Sequence, residues 1–306
     1  MRKLFVLCLL IAAASAATLL AQEEKADIAK DNGNRIMIAR RWLLVEFPCG
    51  DLKLKGWLFV PRGAENAPTP AVLRIPAGGN LFTPAVLGLG TVPEIEPFVA
   101  AGYVTMVMSF RGTLDNPGNF RESRGGLDDV LAALEFLASQ PEVDKKNIFI
   151  AGHSSAATLS LRAAQISDLP RAVAAFSPVA DWAKFYKERM KDVSKETAEL
   201  VRESSPITHT AKIKCPALIT HGTDDKIVPF EQSEKLAEKF AKDGKQVDFV
   251  KIPFGDHYYS MLKAGVDLSI AYFSEIQRHG KTTDIFEKFR DNLLEKFAGE
   301  MKPGEK

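Results

Sequence analysis

The sequence predicts an α/β domain built on a mostly parallel sheet with helices on both faces. Three observations carry this. Apolar runs of strand length alternate with amphipathic runs of helix length from about residue 41 to residue 280. Several of the short runs, AVLRI at 71–75 and NIFIA at 147–151 among them, are apolar without alternation, as expected when both faces of a strand are covered. Composition is that of an ordinary globular chain, with 46% hydrophobic and 26% charged residues among 306, and no Pro/Gly/Ser-rich linker divides it.

The elements follow in order. Residues 42–47 and 53–60 read as a hairpin about Cys49-Gly50-Asp51, and 61–70 as a Pro- and Gly-bearing loop before the strand at 71–75. A helix at 93–101 stops at Gly102, and a strand occupies 103–109. Residues 127–139 form an amphipathic helix, because Leu127, Val130, Leu131, Leu134 and Leu137 fall on one face at helical spacing. Next come a strand at 147–151, a helix at 155–167 and a strand at 172–176. A mixed, charged stretch follows at 181–212, then a strand at 217–221, a helix at 231–242, a strand at 247–252 and a helix at 260–278. Beyond 280, Phe286, Phe289, Leu293 and Phe297 mark one face of a last helix docked on the core, and residues 281–306 form a C-terminal helix and tail.

The N-terminus differs in kind. Arg2 and Lys3 precede an apolar run from Leu4 to Ile11, and small residues then lead to Ala14-Ser15-Ala16. This is the layout of a secretory signal peptide, with cleavage expected after Ala16 or Ala21. Residues 22–40 form a polar N-terminal extension. Export, to a periplasm or outside the cell, is therefore expected; an uncleaved segment would instead be the one membrane attachment. Net charge is +1, and loss of residues 1–21 removes two of the 40 basic residues and none of the 39 acidic ones. A nucleic-acid partner, which needs a concentrated basic face, is not expected. Cys8 leaves with the leader, and Cys49 and Cys215 are expected as reduced, structural thiols.

Residues 152–156 read GHSSA, directly after the strand NIFIA and directly before a helix. A sharp strand-to-helix turn of this kind lifts a serine hydroxyl out of the sheet, which makes Ser154 the candidate nucleophile. Gly152 and Ala156 are small where strand and helix pass close. A serine hydroxyl is a poor nucleophile until a base takes its proton. Of five histidines, His257 in FGDHYYS lies on a loop after a strand, at the sheet edge expected for the serine. His153, His209, His221 and His279 read as packing or peripheral residues. An acid should orient the base, and the loop HGTDDKIVP at 221–229 offers Asp224 and Asp225; spacing alone does not choose between them. The developing oxyanion needs preorganised N–H donors. The Ser155 amide is one, and the loop PAGGN at 76–80 supplies another from Gly79, or alternatively Gly78. No His/Asp/Glu cluster has metal-ligand spacing, and no cofactor is expected.

These segments together resemble the catalytic domain of the prolyl oligopeptidase family of serine peptidases, and the related esterases, over about residues 41–280. The resemblance rests on GHSSA, HGTDDKIVP and GDH at 255–257. It is supported by Arg111-Gly112, Asp128-Asp129 and the run SPITHTAKIKCPALITHG at 205–222. It implies the α/β-hydrolase fold and aligns the family's acid with Asp225. The chain departs from the pattern at Ala77, where members often carry His, and at Ala156, where Gly is commoner. Full-length members carry a β-propeller for which 306 residues leave no room, which adds weight to a small esterase.

The implied activity is hydrolysis of a carboxylic ester or a peptide bond through an acyl-enzyme, on a small-molecule ester or short peptide. Residues 181–212 read as a small cap in which Trp182, Phe185 and Tyr186 either line the acyl pocket or pack as core. Two other classes stay open: a non-catalytic binding protein that kept the fold, and a structural envelope protein tethered by residues 1–21.

Overall fold

The computed structural model describes residues 39–85, 92–122, 124–187 and 193–301; the leader and most of the N-terminal extension lie outside them. Eight strands form one sheet in the order β1-β2-β4-β3-β5-β6-β7-β8. They are β1 Ala39–Cys49, β2 Leu52–Pro61, β3 Thr69–Arg74, β4 Val104–Met108, β5 Val143–His153, β6 Pro170–Phe176, β7 Ala217–Gly222 and β8 Val247–Ile252. β1–β2 and β2–β4 pair antiparallel, and every pair from β4–β3 to β7–β8 is parallel. The expected hairpin is β1–β2, turning at Gly50 with φ +59°.

Among the described residues the α-helices are α1 Val92–Ala100, α2 Leu127–Ser139, α3 Ser155–Ile166, α4 Trp182–Phe185, α5 Lys195–Ser204, α6 Glu231–Lys242, α7 Val266–His279 and α8 Asp284–Met301. Side chains alternate across each strand, so the sheet feeds two cores. Leu73, Ile148, Ile150, Val173 and Ile219 face α2, α3 and α6. Val72, Phe149, Ala174 and Leu218 face Phe98 of α1, Phe273 and Ile276 of α7, and Phe286 and Phe297 of α8. Both faces are covered, which is why these strands lack a polar side.

The structure differs from the sequence reading at β5, at the start of α7 and along α8. β5 begins at Val143, which pairs with Thr69 before the polar run Asp144-Lys145-Lys146 interrupts the apolar signal. The last long helix of the αβ alternation opens with a wide π-turn, Met261–Gly265, that brings Gly265 against Phe176 and Thr220. On α8, Phe286 and Phe297 are buried and Leu293 packs beside them, but Phe289 is 39% exposed. The buried stripe runs through positions 286, 293, 294 and 297, and a residue at i+3 from Phe286 falls off its edge.

Parallel strands end together, and the register sets one edge of the sheet. His153 pairs with Phe176, Phe176 with Thr220, and Gly222 with Ile252. The loops after β3, β5, β7 and β8 therefore leave from the same edge, where open α/β sheets hold their ligands.

Candidate active site

The turn after β5 is a strained one. Ser154 has φ +59° and ψ −123°, a region that side chains other than glycine rarely adopt, and it is the residue immediately before α3. Its N–H is held by the Phe176 carbonyl at 2.8 Å. A Cβ on Gly152 would lie 2.3 Å from the Ala156 carbonyl oxygen and 2.5 Å from Ser160 Oγ, so no side chain fits there. Ala156, 1% exposed, sits where strand and helix cross. The strain is maintained because the surrounding backbone fixes both sides of the turn.

The loops after β7 and β8 are locked to each other. A Cβ on Gly222 would fall 2.2 Å from the Gly255 carbonyl oxygen, and one on Gly255 would fall 3.0 Å from Gly222 Cα. The Asp224 N–H donates to the Gly255 carbonyl at 2.9 Å, and the Phe254 N–H to Thr223 Oγ1 at 2.8 Å. This crossing brings Asp225 to His257. His257 Nδ1 donates to Asp225 Oδ2 at 2.6 Å, leaving Nε2 without a proton in the neutral ring. Asp224 is exposed and Asp225 is buried, so of the two acids only Asp225 reaches the histidine.

Asp225 is held by more than His257. Oδ1 accepts the amides of Ile227 and Val228 at 2.8 and 2.9 Å, and Oδ2 also lies 3.1 Å from His221 Nε2. Burial alone would raise its pKa; hydrogen bonds from His221, His257 and the Val228 amide outweigh that and hold the carboxyl well below the usual carboxylate range. His221 is in turn fixed by Ser233 Oγ at 2.7 Å from Nδ1. A hydroxyl donating to Nδ1 puts the ring proton on Nε2, which donates to the Val228 carbonyl at 3.0 Å beside the carboxylate. The sequence reading took His221 for a packed turn residue; it is packed, and it also braces the acid.

His153 is likewise more than a neighbour of Ser154. Its Nε2 donates to the His257 carbonyl at 2.7 Å, and the two rings are 4.4 Å apart. Burial, then the nearby His257 and Arg74, push its pKa from 6.5 down to about 3, so it is a neutral donor. Behind it, Arg74 is fully buried, paired with Glu94, and its Nη1 donates to the Ile75 carbonyl at 2.8 Å. Glu94 also accepts from the Tyr258 hydroxyl at 3.4 Å, which ties α1 to the histidine loop.

The loop after β3 is built around the expected donor glycines. Gly78 has φ +101°, and a Cβ on Gly79 would lie 2.4 Å from the Ala85 nitrogen. Asn80 Oδ1 accepts the amides of Phe82 and Thr83 at 2.8 and 3.0 Å, closing the turn. Gly79 and Ser155 line one cleft, together with Trp182; Gly78 is not among its lining residues. Phe185 and Tyr186 do not line it either. They pack on Trp182 at 5.8 and 5.2 Å between ring centroids, in a cluster with Leu81, Val179, Val201 and Val228. The stretch 181–212 forms α4, α5 and the 3₁₀ segment Pro206–Lys212, with Trp182 and Ser204 lining the cleft, while residues 188–192 lie outside the described part. Cys49 and Cys215 are both free thiols.

Strand order, strained turn and edge loops define an α/β-hydrolase fold. The chain belongs to the prolyl oligopeptidase family, whose sequence pattern it matches over residues 91–275. It is 27% identical over 188 residues to an uncharacterized peptidase, YtmA, of Bacillus subtilis, covering 56% of this chain and 73% of that one. Among solved structures it is similar to a Pyrococcus horikoshii acylaminoacyl peptidase, with TM-score 0.64 and 20% identity over 83% of this chain and 44% of that one. A puromycin-hydrolyzing peptidase of Mycobacterium tuberculosis gives 0.63 and 19%, over 77% of this chain and 39% of that one. Est1E of Butyrivibrio proteoclasticus, solved with ferulic acid bound, gives 0.59 and 20%, over 76% of this chain and 98% of that one. The chain thus spans less than half the length of the two structural peptidases.

Proposed function

We propose that this protein is an exported serine hydrolase that cleaves a carboxylic ester or amide through an acyl-enzyme on Ser154. The observation that carries the reading is the 2.6 Å Asp225–His257 hydrogen bond on the loops beside a strained Ser154. Asp225 fixes the imidazole with Nε2 free to accept a proton and stabilises the imidazolium that forms. Ser154 Oγ attacks the substrate carbonyl, and its proton passes to His257 Nε2. The amides of Ser155 and Gly79 stabilise the oxyanion, aided by the positive end of α3. The imidazolium then gives its proton to the leaving alcohol or amine. Water, deprotonated by the same nitrogen, releases the acid and restores Ser154. Membership in a family of serine peptidases and the likeness to both peptidases and an esterase support hydrolysis while leaving ester and amide substrates both in scope.

Stopped-flow hydrolysis of 4-nitrophenyl acetate tests the acyl-enzyme. The expected result is a burst of close to one nitrophenolate per protein, absent in Ser154→Ala and in His257→Ala. A folded protein with no turnover of any activated ester would favour a binding protein that kept the fold. Export rests on the leader at residues 1–21. The intact mass of the chain recovered from outside the cytoplasm of its expression host is expected to lack the first 16 or 21 residues; a full-length chain retained inside would contradict it.

A further inference from the structure

The cleft beside Ser155 has apolar walls, Leu81, Phe110, Leu127 and Trp182 among them, yet Arg162 also lines it. Ser155, Thr158, Leu159 and Arg162 line it from one face of α3, at the i, i+3, i+4 and i+7 spacing of a single helical stripe. Arg162 is 5% exposed. Its Nη1 donates to Gln165 Oε1 at 2.6 Å, and Gln165 is itself anchored to the Pro206 carbonyl at 2.9 Å. Its Nε is buried with no hydrogen-bond partner. Among the described residues no carboxylate comes within 4.0 Å of it. Glu203 is the acid whose charge it feels, but that carboxylate is taken by Arg202 at 2.5 Å and faces His209 at 3.4 Å. A second guanidinium, Arg124, also lines the cleft and is occupied by Asp128.

A buried guanidinium without a counter-ion is costly, and a guanidinium is suited to charge-assisted capture of a carboxylate. We infer that the cleft receives an acyl chain ending in a carboxylate, so that the substrates are monoesters or monoamides of short dicarboxylic acids, with Arg162 as the residue that selects them. This rests on the serine-hydrolase reading above. Seven residues of helix separate Ser155 from Arg162 by about 10.5 Å along the axis, and a helical side chain leans back toward the N-terminus, a distance that about four to six acyl carbons would span. Hydrolysis breaks the acyl C–O or C–N bond; water gives its hydroxyl to the acyl group and its proton to the leaving group, and a free dicarboxylate departs.

The test compares monoethyl glutarate with ethyl 5-methylhexanoate, in which a neutral isopropyl group replaces the carboxylate. The wild type should favour the anionic ester at least tenfold in kcat/KM. Arg162→Met should abolish that preference while keeping turnover of the neutral ester, and Arg162→Lys should retain part of it. Equal kcat/KM for the two esters in the wild type, or a preference unchanged in Arg162→Met, overturns the inference. Should Arg162→Met fail to fold, glutarate binding to the wild type by calorimetry decides: binding tighter than that of 5-methylhexanamide supports the anion site, and none refutes it. Glutarate binding without any Ser154 chemistry would break the hydrolase reading alone. Ser154 chemistry without glutarate binding or preference would break this inference alone.

Discussion

His153 shows how one buried side chain can link the site to stability. Its ring is 3% exposed and braces the His257 backbone. In the unfolded chain it takes a proton near pH 6.5, in the folded chain only near pH 3. Between those values the unfolded state holds more protons, so its contribution is intact above about pH 6.5 and declines as pH falls toward 3. Asp225 acts in the same direction but lower: its folded carboxyl titrates below the ordinary 3.8, so its contribution is present above that value and is lost as pH falls through the depressed one. His153→Gln keeps a donor for the His257 carbonyl and removes the titration. Chemical denaturation should find the wild type losing about 2 kcal/mol more than His153→Gln between pH 6.5 and pH 5. Parallel stability curves would contradict this. Nothing in the sequence marked this role, because the partner carbonyl is 104 residues away and a buried histidine carries no local signature.

At the level of elements, helices and strands were legible because their signals are periodic and local. α2 spans Leu127–Ser139 and α6 spans Glu231–Lys242, as read, since their apolar faces repeat at helical spacing. GHSSA could be read as a turn because strand and helix abut it. The meeting of the β7 and β8 loops was less legible. It depends on Gly222 and Gly255 touching across the sheet edge, and in sequence each is only a glycine before a polar residue. Gly222→Ala is therefore a sharp test of how the loops hold Asp225 to His257. Its Cβ meets the backbone of Gly255 and Asp256, not a movable side-chain tip. Overpacking of this kind costs on the order of 3 kcal/mol, and ester turnover should fall far more than thermal stability does. Unchanged turnover would mean that the crossing does not set the pair. Phe185 and Tyr186 show the opposite limit: an aromatic triplet in a cap reads equally as pocket or core, and only Trp182 reaches the cleft.

Across the whole molecule, the fold follows from covering both faces of a parallel sheet, and the same arrangement brings the loop ends of β3, β5, β7 and β8 to one edge. The order serine, acid, histidine along the chain carried the architecture in the sequence. The unpaired Arg162 did not stand out there, because an arginine in an amphipathic helix ordinarily faces water. The central claim is that this edge activates Ser154. It is tested most directly by treating residues 22–306 with a fluorophosphonate and locating the adduct by peptide mass, with Ser154→Ala and Asp225→Asn alongside. The account predicts one adduct on Ser154, none in Ser154→Ala, and labelling slowed by about 10⁴ in Asp225→Asn, where the histidine would be held in the wrong tautomer. A folded wild type that takes no label, or labelling at wild-type rate in Asp225→Asn, would contradict it.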